Sequence, residues 1–381
     1  MRVGFVTNSS GNTAQYRLPW IKCLEQRGYS VTVFSPGGDE LRRSGVRHIP
    51  WEVDRYASSL LGTWREITRL ARLLKQERID VVQSFTPKGN FSGTLAAWLA
   101  GVPITVSTVT GLGVLFTNPR PSLRTRLVRA VFRAVVSRSG FLVFQNADDE
   151  RVFARTPASR RYSIHGSGVD PERFRPADPA ERAKCRERFG FQTGHHVFVY
   201  TGRLVRSKGI LELCAAGTEV IRRGYPLTLV CAGEIEKENP DSLTEQEVAA
   251  LTTDAIQFPG FRRDVRELLC AADGLVFPSY REGVPFPVVE AMLMEKPVIT
   301  TDVPGCRDTI EHKKSGLLVD RGSVAQLTEA LVWLMTHPDD ARRMGEAGRR
   351  RSLEVFALPP VLEELDRLYD AVARRYNERH R

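Results

Sequence analysis

Several common functional signatures are missing from this sequence of 381 residues. Its cysteines, at positions 23, 185, 214, 231, 270 and 306, stand singly with no C-x-x-C pair. Some of them lie in apolar runs such as LTLVCAG, which predicts buried, reduced thiols. The amino terminus, MRVGFVTNSS, reads as a short strand and has no signal-peptide core, so export is not expected.

Charge is absent from one long segment, residues 89 to 119. Its length alone is compatible with a membrane span. However, it contains Pro103 and many Gly, Ser and Thr residues, and it divides into a helix pattern (FSGTLAAWLAG) and a strand pattern (PITVSTV). We therefore expect a buried helix and strand here, and keep the membrane span as the alternative.

Acidic residues are scarce in the first half of the chain. Residues 1 to 170 hold 24 Lys and Arg against 12 Asp and Glu, whereas residues 171 to 381 hold 31 against 33. The first half is thus the one suited to an anionic partner. A nucleic-acid partner is not expected, because aromatic stacking motifs and known binding modules are missing.

Nucleotide-binding fingerprints of two large classes are also missing. The segment after the first strand, TNSSGNTAQYR, does not match G-x-G-x-x-G, and the chain has no Walker A motif. A dehydrogenase and a P-loop enzyme are therefore disfavoured.

What is present is an alternation of strand and helix patterns, which occurs twice. The strand patterns of the first half are RVGFVT, YSVTVFSP, IDVVQSF, PITVSTV and GFLVFQN, and those of the second are HHVFVYTG, LTLVCAG, AIQFPG, GLVFPS and PVITTDV. Strands separated by helical patterns of this length indicate βαβ units and a parallel sheet. The join falls in the segment GSGVDPERFRPADPAERAK, which is rich in Pro, Gly and charge. We predict an α/β protein with two doubly wound domains, 1–170 and 171–358, facing each other across a cleft, and a final helix, 359–381, packing back on the first domain.

Two cations follow the first strand of the second half, in YTGRLVRSKGILEL. Arg203 and Lys208 flank a turn that leads into a helix, at the edge of the sheet where ligands bind. Together with free helix N–H groups they suit a diphosphate. The alternative is an exposed loop with ordinary solvated charges.

Two carboxylates stand eight residues apart in SYREGVPFPVVEA. Glu282 should lie in the loop after a strand, Pro287 at the first position of a helix, and Glu290 in that helix's first turn. A carboxylate there can accept hydrogen bonds from a ribose diol. Alternatively, Glu290 only complements the helix dipole.

These motifs carry a resemblance to the retaining glycosyltransferases of family 4, which have the GT-B fold. The family's Arg-x-x-x-x-Lys matches Arg203 and Lys208, and its Glu-x7-Glu matches Glu282 and Glu290. The likeness spans nearly the whole chain and extends to a subgroup that builds capsule, O-antigen and N-linked glycan precursors on polyprenyl diphosphate.

The resemblance implies roles for these residues toward a UDP-sugar donor. Arg203 and Lys208 would neutralise the leaving diphosphate, Glu290 would hold the ribose, and Glu282 would contact the donor sugar. These three groups, Glu282, Arg203 and Lys208, would be the catalytic set. Further donor contacts would come from the backbone of Gly283, Val284, Pro285 and Phe286, from the base-binding edge at Phe261 and Arg262, and from a flexible loop at Gly11 and Asn12.

The resemblance places the acceptor, a polyprenyl-diphosphate-linked sugar, on the first domain. Lys88, in SFTPKGNFSG, is the candidate for its phosphate, with an ordinary surface lysine as the alternative. Many relatives carry a histidine near the reaction centre, but the matching TVTGLG has none, so we expect Thr110, Gly111 and Gly113 to position the acceptor. His165, in IHGSGVD, is read as structural, or as a contact to the donor phosphates.

A basic amphipathic helix is predicted within residues 119–138. On a helical wheel Leu123, Leu127, Val131 and Val135 share one face, while Arg126, Arg129 and Arg133 share another. Such a helix can lie on an anionic membrane, here the inner face of the cell membrane, or can pack on the core with a solvated arginine face.

The implied reaction transfers a sugar, an N-acetylhexosamine or a related one, from a UDP-sugar with retention. It needs no metal or other cofactor, because Arg203 and Lys208 can stabilise the leaving diphosphate. Alternatives are a soluble acceptor, an epimerase or phosphorylase of the same fold, and a non-catalytic nucleotide-sugar binder.

Overall fold

The computed structural model describes residues 1–53, 59–113, 116 and 121–380. The chain forms two compact units. The first consists of Met1–Gly168 with Leu358–Arg381, and the second of Val169–Ala357.

The first unit is built on a parallel sheet of seven strands in the order β3-β2-β1-β4-β5-β6-β7. The strands are β1 (Arg2–Val6), β2 (Ser30–Ser35), β3 (Arg47–Pro50), β4 (Val81–Phe85), β5 (Ile104–Val109), β6 (Phe141–Phe144) and β7 (Arg161–Ser163). The helices between them are α1 (Ser10–Tyr16), α2 (Leu18–Gln26), α3 (Asp39–Arg43), α4 (Leu60–Gln76), α5 (Pro87–Ala100), α6 (Leu123–Val136) and α7 (Ala147–Val152).

The second unit has a parallel sheet of six strands in the order β10-β9-β8-β11-β12-β13. Its strands are β8 (His196–Thr201), β9 (Leu227–Ala232), β10 (Ile256–Gln257), β11 (Gly274–Phe277), β12 (Val298–Thr301) and β13 (Leu317–Val319). Its helices are α8 (Pro179–Arg188), α9 (Ile210–Arg222), α10 (Glu245–Leu251), α11 (Val265–Ala271), α12 (Phe286–Leu293), α13 (Cys306–Thr309), α14 (Val324–Thr336) and α15 (Pro338–Val355).

Strand order changes direction once in each sheet. In the first sheet this switch point lies between β1 and β4, and in the second it lies between β8 and β11. Connections leave the two neighbouring strands in opposite directions there, which opens a crevice at the carboxyl ends of the strands. The fold therefore provides one favoured ligand position in each unit.

The last helix, α16 (Leu358–Arg379), belongs to the first unit. Its buried Tyr369 donates a hydrogen bond to Gln83 Oε1 in β4 over 2.7 Å, and Gln83 Nε2 in turn donates to Thr108 Oγ1 in β5 over 3.0 Å. This buried chain of polar groups fixes α16 against the centre of the first sheet.

The charge-free segment forms α5 and β5, as its division into a helix and a strand predicted. Strand β5 is buried along its whole length, which is typical of parallel strands covered on both faces. Within the described ranges, no helix combines the length and the apolar character needed to cross a bilayer. All six cysteines are free thiols, and five of them are buried, in agreement with the sequence prediction.

Candidate active site

The second sheet brings the predicted cations and carboxylates together at its switch point. Arg203 follows β8 and Glu282 follows β11, and these two strands are neighbours. Gly209 allows the close approach of the two loops. Its φ is +73°, and a Cβ atom there would lie 2.3 Å from the carbonyl oxygen of Pro278. A side chain at Gly209 would therefore push the loop that carries Lys208 away from the loop that carries Glu282.

Lys208 and Glu282 form an ion pair in which the Lys208 ammonium donates to Glu282 Oε1. Both side chains are about 85% buried, and the Ser279 hydroxyl donates to the same carboxylate oxygen. The ammonium also lies 5.3 Å from the centroid of the Phe277 ring. The pair is thus partly desolvated and held by neighbouring groups, so its charges act more strongly on a ligand than solvated ones would.

Arg203 lies at the same edge but remains about half exposed. Its Nη1 donates to Glu236 Oε2 over 2.8 Å, and Asn239 donates to that same oxygen over 2.9 Å. Glu236 therefore orients the guanidinium. It is a residue that the sequence analysis did not single out.

Glu290 lies in α12, one residue further from the start of the helix than predicted. The helix begins at Phe286 with Pro285 as its N-cap, so Pro287 is the second helical residue and Glu290 the fifth. The prediction of Glu290 in the first turn was wrong because the extended conformation of Pro285 (φ −75°, ψ 108°) places the helix start one residue earlier. A role limited to complementing the helix dipole loses its basis, since that effect fades beyond the first turn.

The Glu290 side chain is buried and has no partner of its own. The residue is 8% exposed, and within the described ranges its carboxylate makes no hydrogen bond and no ion pair. Burial raises the pKa of its carboxyl to about 7, although the nearby Arg173 acts in the opposite direction. A buried carboxyl without a partner is costly to the free protein and marks a candidate binding position.

The residues between the two glutamates are fixed against the loop that follows β12. The Glu282 N–H donates to the carbonyl of Pro304 over 3.0 Å. A Cβ atom on Gly305 would lie 2.4 Å from the carbonyl oxygens of Glu282 and Gly283. Val284 and Pro285 follow directly and Phe286 begins α12, so this backbone is fixed at both ends.

The predicted base-binding edge follows β10. The carbonyl of Gly260 accepts a hydrogen bond from the Gly233 N–H over 3.0 Å, which joins the loops after β9 and β10. Phe261 is 62% exposed. The Arg262 guanidinium is bound to both oxygens of Asp264, over 2.8 and 2.6 Å, so its backbone is the part that a base could contact.

In the first unit, Gly11 and Asn12 do not lie in a loop. They belong to the first turn of α1, where the Ser9 side chain accepts a hydrogen bond from the Asn12 N–H over 3.2 Å. The prediction of a flexible loop was wrong because Ser9 caps a helix in the Ser-rich segment that precedes Gly11.

Lys88 lies in the first turn of α5, at the carboxyl end of β4. Its ammonium is 3.2 Å from Glu66 Oε2 of α4, and both side chains are more than 80% buried. Lys88 is therefore not an ordinary solvated lysine. The preceding Thr86 has a φ of +67°, which is unusual for a β-branched residue and marks local strain.

Thr110, Gly111 and Gly113 follow β5 at the same edge. The loop is held from below by Asp149, a completely buried residue of α7 whose Oδ2 accepts the Leu112 N–H over 3.2 Å. Gly111 and Gly113 have φ values of 100° and 62°, so the backbone at these two positions favours glycine. Residues 114–115 and 117–120 of this segment lie outside the described residues.

His165 is bound to α16. Its backbone N–H and its Nδ1 contact the two carboxylate oxygens of Glu364 over 2.8 and 2.7 Å. This arrangement fits the structural reading of His165, because both contacts join the end of the first domain's main segment to its last helix.

Comparisons with known proteins give the family. A sequence model described as "Glycosyl transferase 4-like domain" matches residues 11–180, and one described as "Glycosyl transferases group 1" matches residues 181–351. The capsular polysaccharide biosynthesis glycosyltransferase CapM of Staphylococcus aureus is 26% identical over 360 residues, with 92% of each chain covered.

A second relative is the N,N'-diacetylbacillosaminyl-diphospho-undecaprenol alpha-1,3-N-acetylgalactosaminyltransferase of Campylobacter jejuni. It is 27% identical over 348 residues, with 88% of this chain and 89% of the relative covered. The chain is a family 4 glycosyltransferase.

The fold of the transferase is GT-B. The structure of HepE from Anabaena in complex with UDP-glucose matches it with a TM-score of 0.79 at 18% identity, covering 97% of this chain and all of that one. Family 4 enzymes retain the anomeric configuration of the transferred sugar, so the reaction is a retaining glycosyl transfer.

The basic helix of the transferase is α6, which begins at Leu123, so residues 119 and 120 of the predicted segment lie outside the described residues. Val135 is buried, but the other members of the predicted apolar stripe are exposed: Leu123 (82%), Leu127 (66%) and Val131 (46%). Arg126 and Arg133 are exposed beside them, whereas Arg129 lies over the Phe116 ring. Packing on the core therefore does not account for this stripe.

A second exposed apolar group of the transferase stands at the start of α4, where Leu60, Leu61 and Trp64 are all more than half exposed. Helix α5 packs against both α4 and α6. All three helices lead into parallel strands of one sheet, so their amino-terminal ends lie at the same edge. The exposed apolar starts of α4 and α6 thus lie at the same edge of the sheet, on either side of α5, and together are called the apolar rim.

Proposed function

We propose that this enzyme transfers a sugar, an N-acetylhexosamine or a related one, from a UDP-sugar to a polyprenyl-diphosphate-linked sugar during assembly of a bacterial surface glycan or glycoprotein glycan. The observation that carries the donor half is the group of Arg203, Lys208, Glu282 and Glu290 at the switch point of the second sheet. The acceptor half rests on the Campylobacter relative, whose name specifies an acceptor on diphospho-undecaprenol.

The donor diphosphate binds between Arg203 and Lys208. In the free protein, the ammonium of Lys208 is neutralised by Glu282. An incoming phosphate competes for that ammonium and releases one oxygen of Glu282, which then accepts hydrogen bonds from hydroxyls of the donor sugar. The ion pair thus keeps both groups in place before the substrate arrives.

The ribose is held by Glu290. Within the described residues no group donates a hydrogen bond to its carboxylate. The two adjacent hydroxyls of a ribose can therefore donate to its two oxygens. The uracil ring lies along the backbone at Phe261 and Arg262, which is compatible with the binding of the Arg262 side chain to Asp264.

Transfer requires the bond from the anomeric carbon to the diphosphate to break as the acceptor hydroxyl attacks from the same face. Negative charge develops on the leaving phosphate oxygen, where Arg203 and Lys208 stabilise it. That oxygen takes the proton of the acceptor hydroxyl. This route uses no protein nucleophile and no separate base. The two cations Arg203 and Lys208 balance the charge of the leaving phosphate without a metal.

The acceptor binds along the carboxyl edge of the first sheet. Lys88 contributes a partly buried cation there, and Thr110 with the Gly111–Gly113 backbone positions the reacting sugar. The apolar rim of α4 and α6 rests on the anionic inner face of the cell membrane. Residues 121–138 contain five arginines and no acidic residue, so charge and apolar contact act together.

The function is tested by UDP release. The purified protein is incubated with a panel of UDP-sugars and with membrane extract as the source of acceptor, and we expect release above background for at least one sugar. Solvent extraction of the product distinguishes a lipid-linked from a soluble acceptor. Absence of release, together with unchanged UDP binding by Glu290→Ala, would contradict the proposal. An epimerase would instead convert the donor without acceptor.

The membrane contact is tested by sedimentation with vesicles. We expect the parent to bind vesicles containing anionic phosphatidylglycerol more strongly than neutral ones, and Leu127→Glu to weaken this binding. The matched control is Leu353→Glu, which changes an exposed leucine of the second unit. Equal effects of the two substitutions would refute a specific role of the rim.

A further inference from the structure

Arg17 is a buried cation in the first unit. It lies between α1 and α2, as the C-cap of the first helix and the N-cap of the second. The residue is only 7% exposed, and its guanidinium carbon lies 4.2 Å above the centroid of the Phe85 ring. Stacking on an aromatic ring orients a guanidinium but does not neutralise its charge.

The guanidinium has no acceptor within the described residues. Its Nε is fully buried and makes no hydrogen bond. The two terminal nitrogens also make no hydrogen bond, but they are not fully buried and keep contact with solvent. Burial lowers the pKa of Arg17 to about 10, with only Tyr16 acting in the other direction. Such a residue is costly to a protein that does not use it.

The position of Arg17 coincides with the ligand crevice of the first sheet. Phe85 is the last residue of β4, and α1 follows β1, so Arg17 stands where the strand order reverses. The next residue after Phe85 is the strained Thr86. Strained backbone and perturbed ionisable groups are enriched at functional sites.

We infer that Arg17 binds the diphosphate group of a substrate. The inference rests on the proposed function, in which both substrates carry a diphosphate. Neither the transferred nor the acceptor sugar needs a carboxylate, the other anion that a guanidinium commonly binds. A guanidinium presents two parallel N–H groups that match two phosphate oxygens, and stacking on Phe85 holds it ready for this contact. The diphosphate belongs either to the UDP-sugar or to the lipid-linked acceptor.

The experiment measures binding by the full-length protein, without requiring transfer. UDP is the probe for the donor diphosphate, and farnesyl diphosphate is the probe for the acceptor diphosphate. We expect Arg17→Met to weaken binding of one probe by about tenfold or more, as loss of a charge-assisted pair of hydrogen bonds should do. Loss confined to UDP identifies the donor as the source, and loss confined to farnesyl diphosphate identifies the acceptor.

Two further variants separate binding from folding. Arg43→Met removes an exposed arginine of α3 in the same unit and should leave both affinities unchanged. Arg17→Lys keeps the charge but loses the fork, and should give an intermediate affinity if Arg17→Met does not fold. The ligand-free Arg17→Met protein should melt at the same temperature as the parent or higher, because an unpaired buried charge has been removed.

A structural role for Arg17 predicts the opposite pattern. In that case Arg17→Met would lower the melting temperature while both affinities stayed within twofold of the parent, and this result would overturn the inference. It would leave the proposed transfer intact, since UDP release by the parent is measured separately. A parent protein that binds neither probe would overturn both.

Discussion

Replacing Glu290 by glutamine should stabilise the enzyme and weaken its binding of nucleotide, with a pH dependence that identifies the carboxyl. Burial raises the pKa of Glu290 from its ordinary value of 4.5 to about 7. The folded protein thus favours the protonated form. The stability contributed by this group is present below pH 4.5 and is lost as the pH rises towards 7.

The magnitude follows from the size of this change in pKa. At about 1.4 kcal/mol per pH unit, a rise from 4.5 to about 7 corresponds to about 3 kcal/mol of lost stability at pH 8. Below pH 5 the loss falls to about 1 kcal/mol or less. Since about 1 kcal/mol shifts the melting temperature of a unit of this size by roughly 2–4 °C, Glu290→Gln should melt several degrees higher at pH 8 and close to the parent at pH 5.

The assay is thermal unfolding of parent and variant between pH 5 and 8, with UDP titrations at the same pH values. Glu354→Gln is the control, since Glu354 is exposed in the same unit. The ratio of parent to variant UDP affinity cancels the titration of UDP itself. This ratio should rise about tenfold from pH 6 to pH 8, as the carboxyl becomes ionised and accepts the ribose hydroxyls.

Two results would refute this reasoning. A stability difference between parent and Glu290→Gln that does not change with pH would show that the carboxyl does not titrate near 7. A UDP affinity ratio near one at pH 8 would show that Glu290 does not touch the nucleotide, even if the stability effect were present.

Three further substitutions test other contacts. Lys208→Met should lower kcat/KM by about a hundredfold, because a cation facing the leaving phosphate is lost. Adding Glu282→Gln to this variant should restore the melting temperature of the parent but not its activity. If activity is also restored, Lys208 is only a structural partner of Glu282. Asp149→Ala should lower kcat/KM for the acceptor at unchanged UDP affinity, because the contact to the Leu112 N–H is lost. Asp149→Asn should recover most of the parent kcat/KM. An equal loss of UDP affinity would argue against an acceptor role for this loop. Tyr369→Phe should lower the free energy of unfolding by about 1–3 kcal/mol, because Gln83 Oε1 loses its hydrogen-bond donor. Tyr376→Phe, at a less buried site, should have a smaller effect in the same thermal unfolding assay. A larger effect at Tyr376 would contradict this account of the core.

The sequence predicted the central strands of both sheets, because parallel strands that are buried on both faces appear as continuous apolar runs. It did not predict β3, β7 and β13. Each lies at the edge of a sheet. The strands β3 (RHIP) and β7 (RYS) are too polar to stand out from loops, and β13 (LLV) is apolar but has only three residues. Their pairing depends on the neighbouring strand more than on their own residues.

For the candidate site, the sequence predicted which side chains follow the strands but not which partners they meet. Arg203 and Glu282 share an edge because carboxyl ends of parallel strands coincide. Glu236 lies 33 positions from Arg203, and Asp149 lies 37 from Leu112, so these contacts depend on tertiary folding. The helix at Gly11 did have a local signal in the sequence, the capping residue Ser9.

Glu290 and Arg17 are two buried ionisable residues whose presence folding alone does not explain. Each is more than nine-tenths buried at the switch point of its own sheet, and neither has an ion-pair partner within the described residues. The protein would be more stable with an apolar residue of similar size at either position, so the needs of folding do not explain Glu290 and Arg17. A ligand that brings diol hydroxyls to Glu290 and phosphate oxygens to Arg17 would account for both residues. Bound substrate should therefore stabilise the parent more than any variant in which either residue has been made apolar, and this difference in ligand-induced melting temperature is the common measurement for both sites.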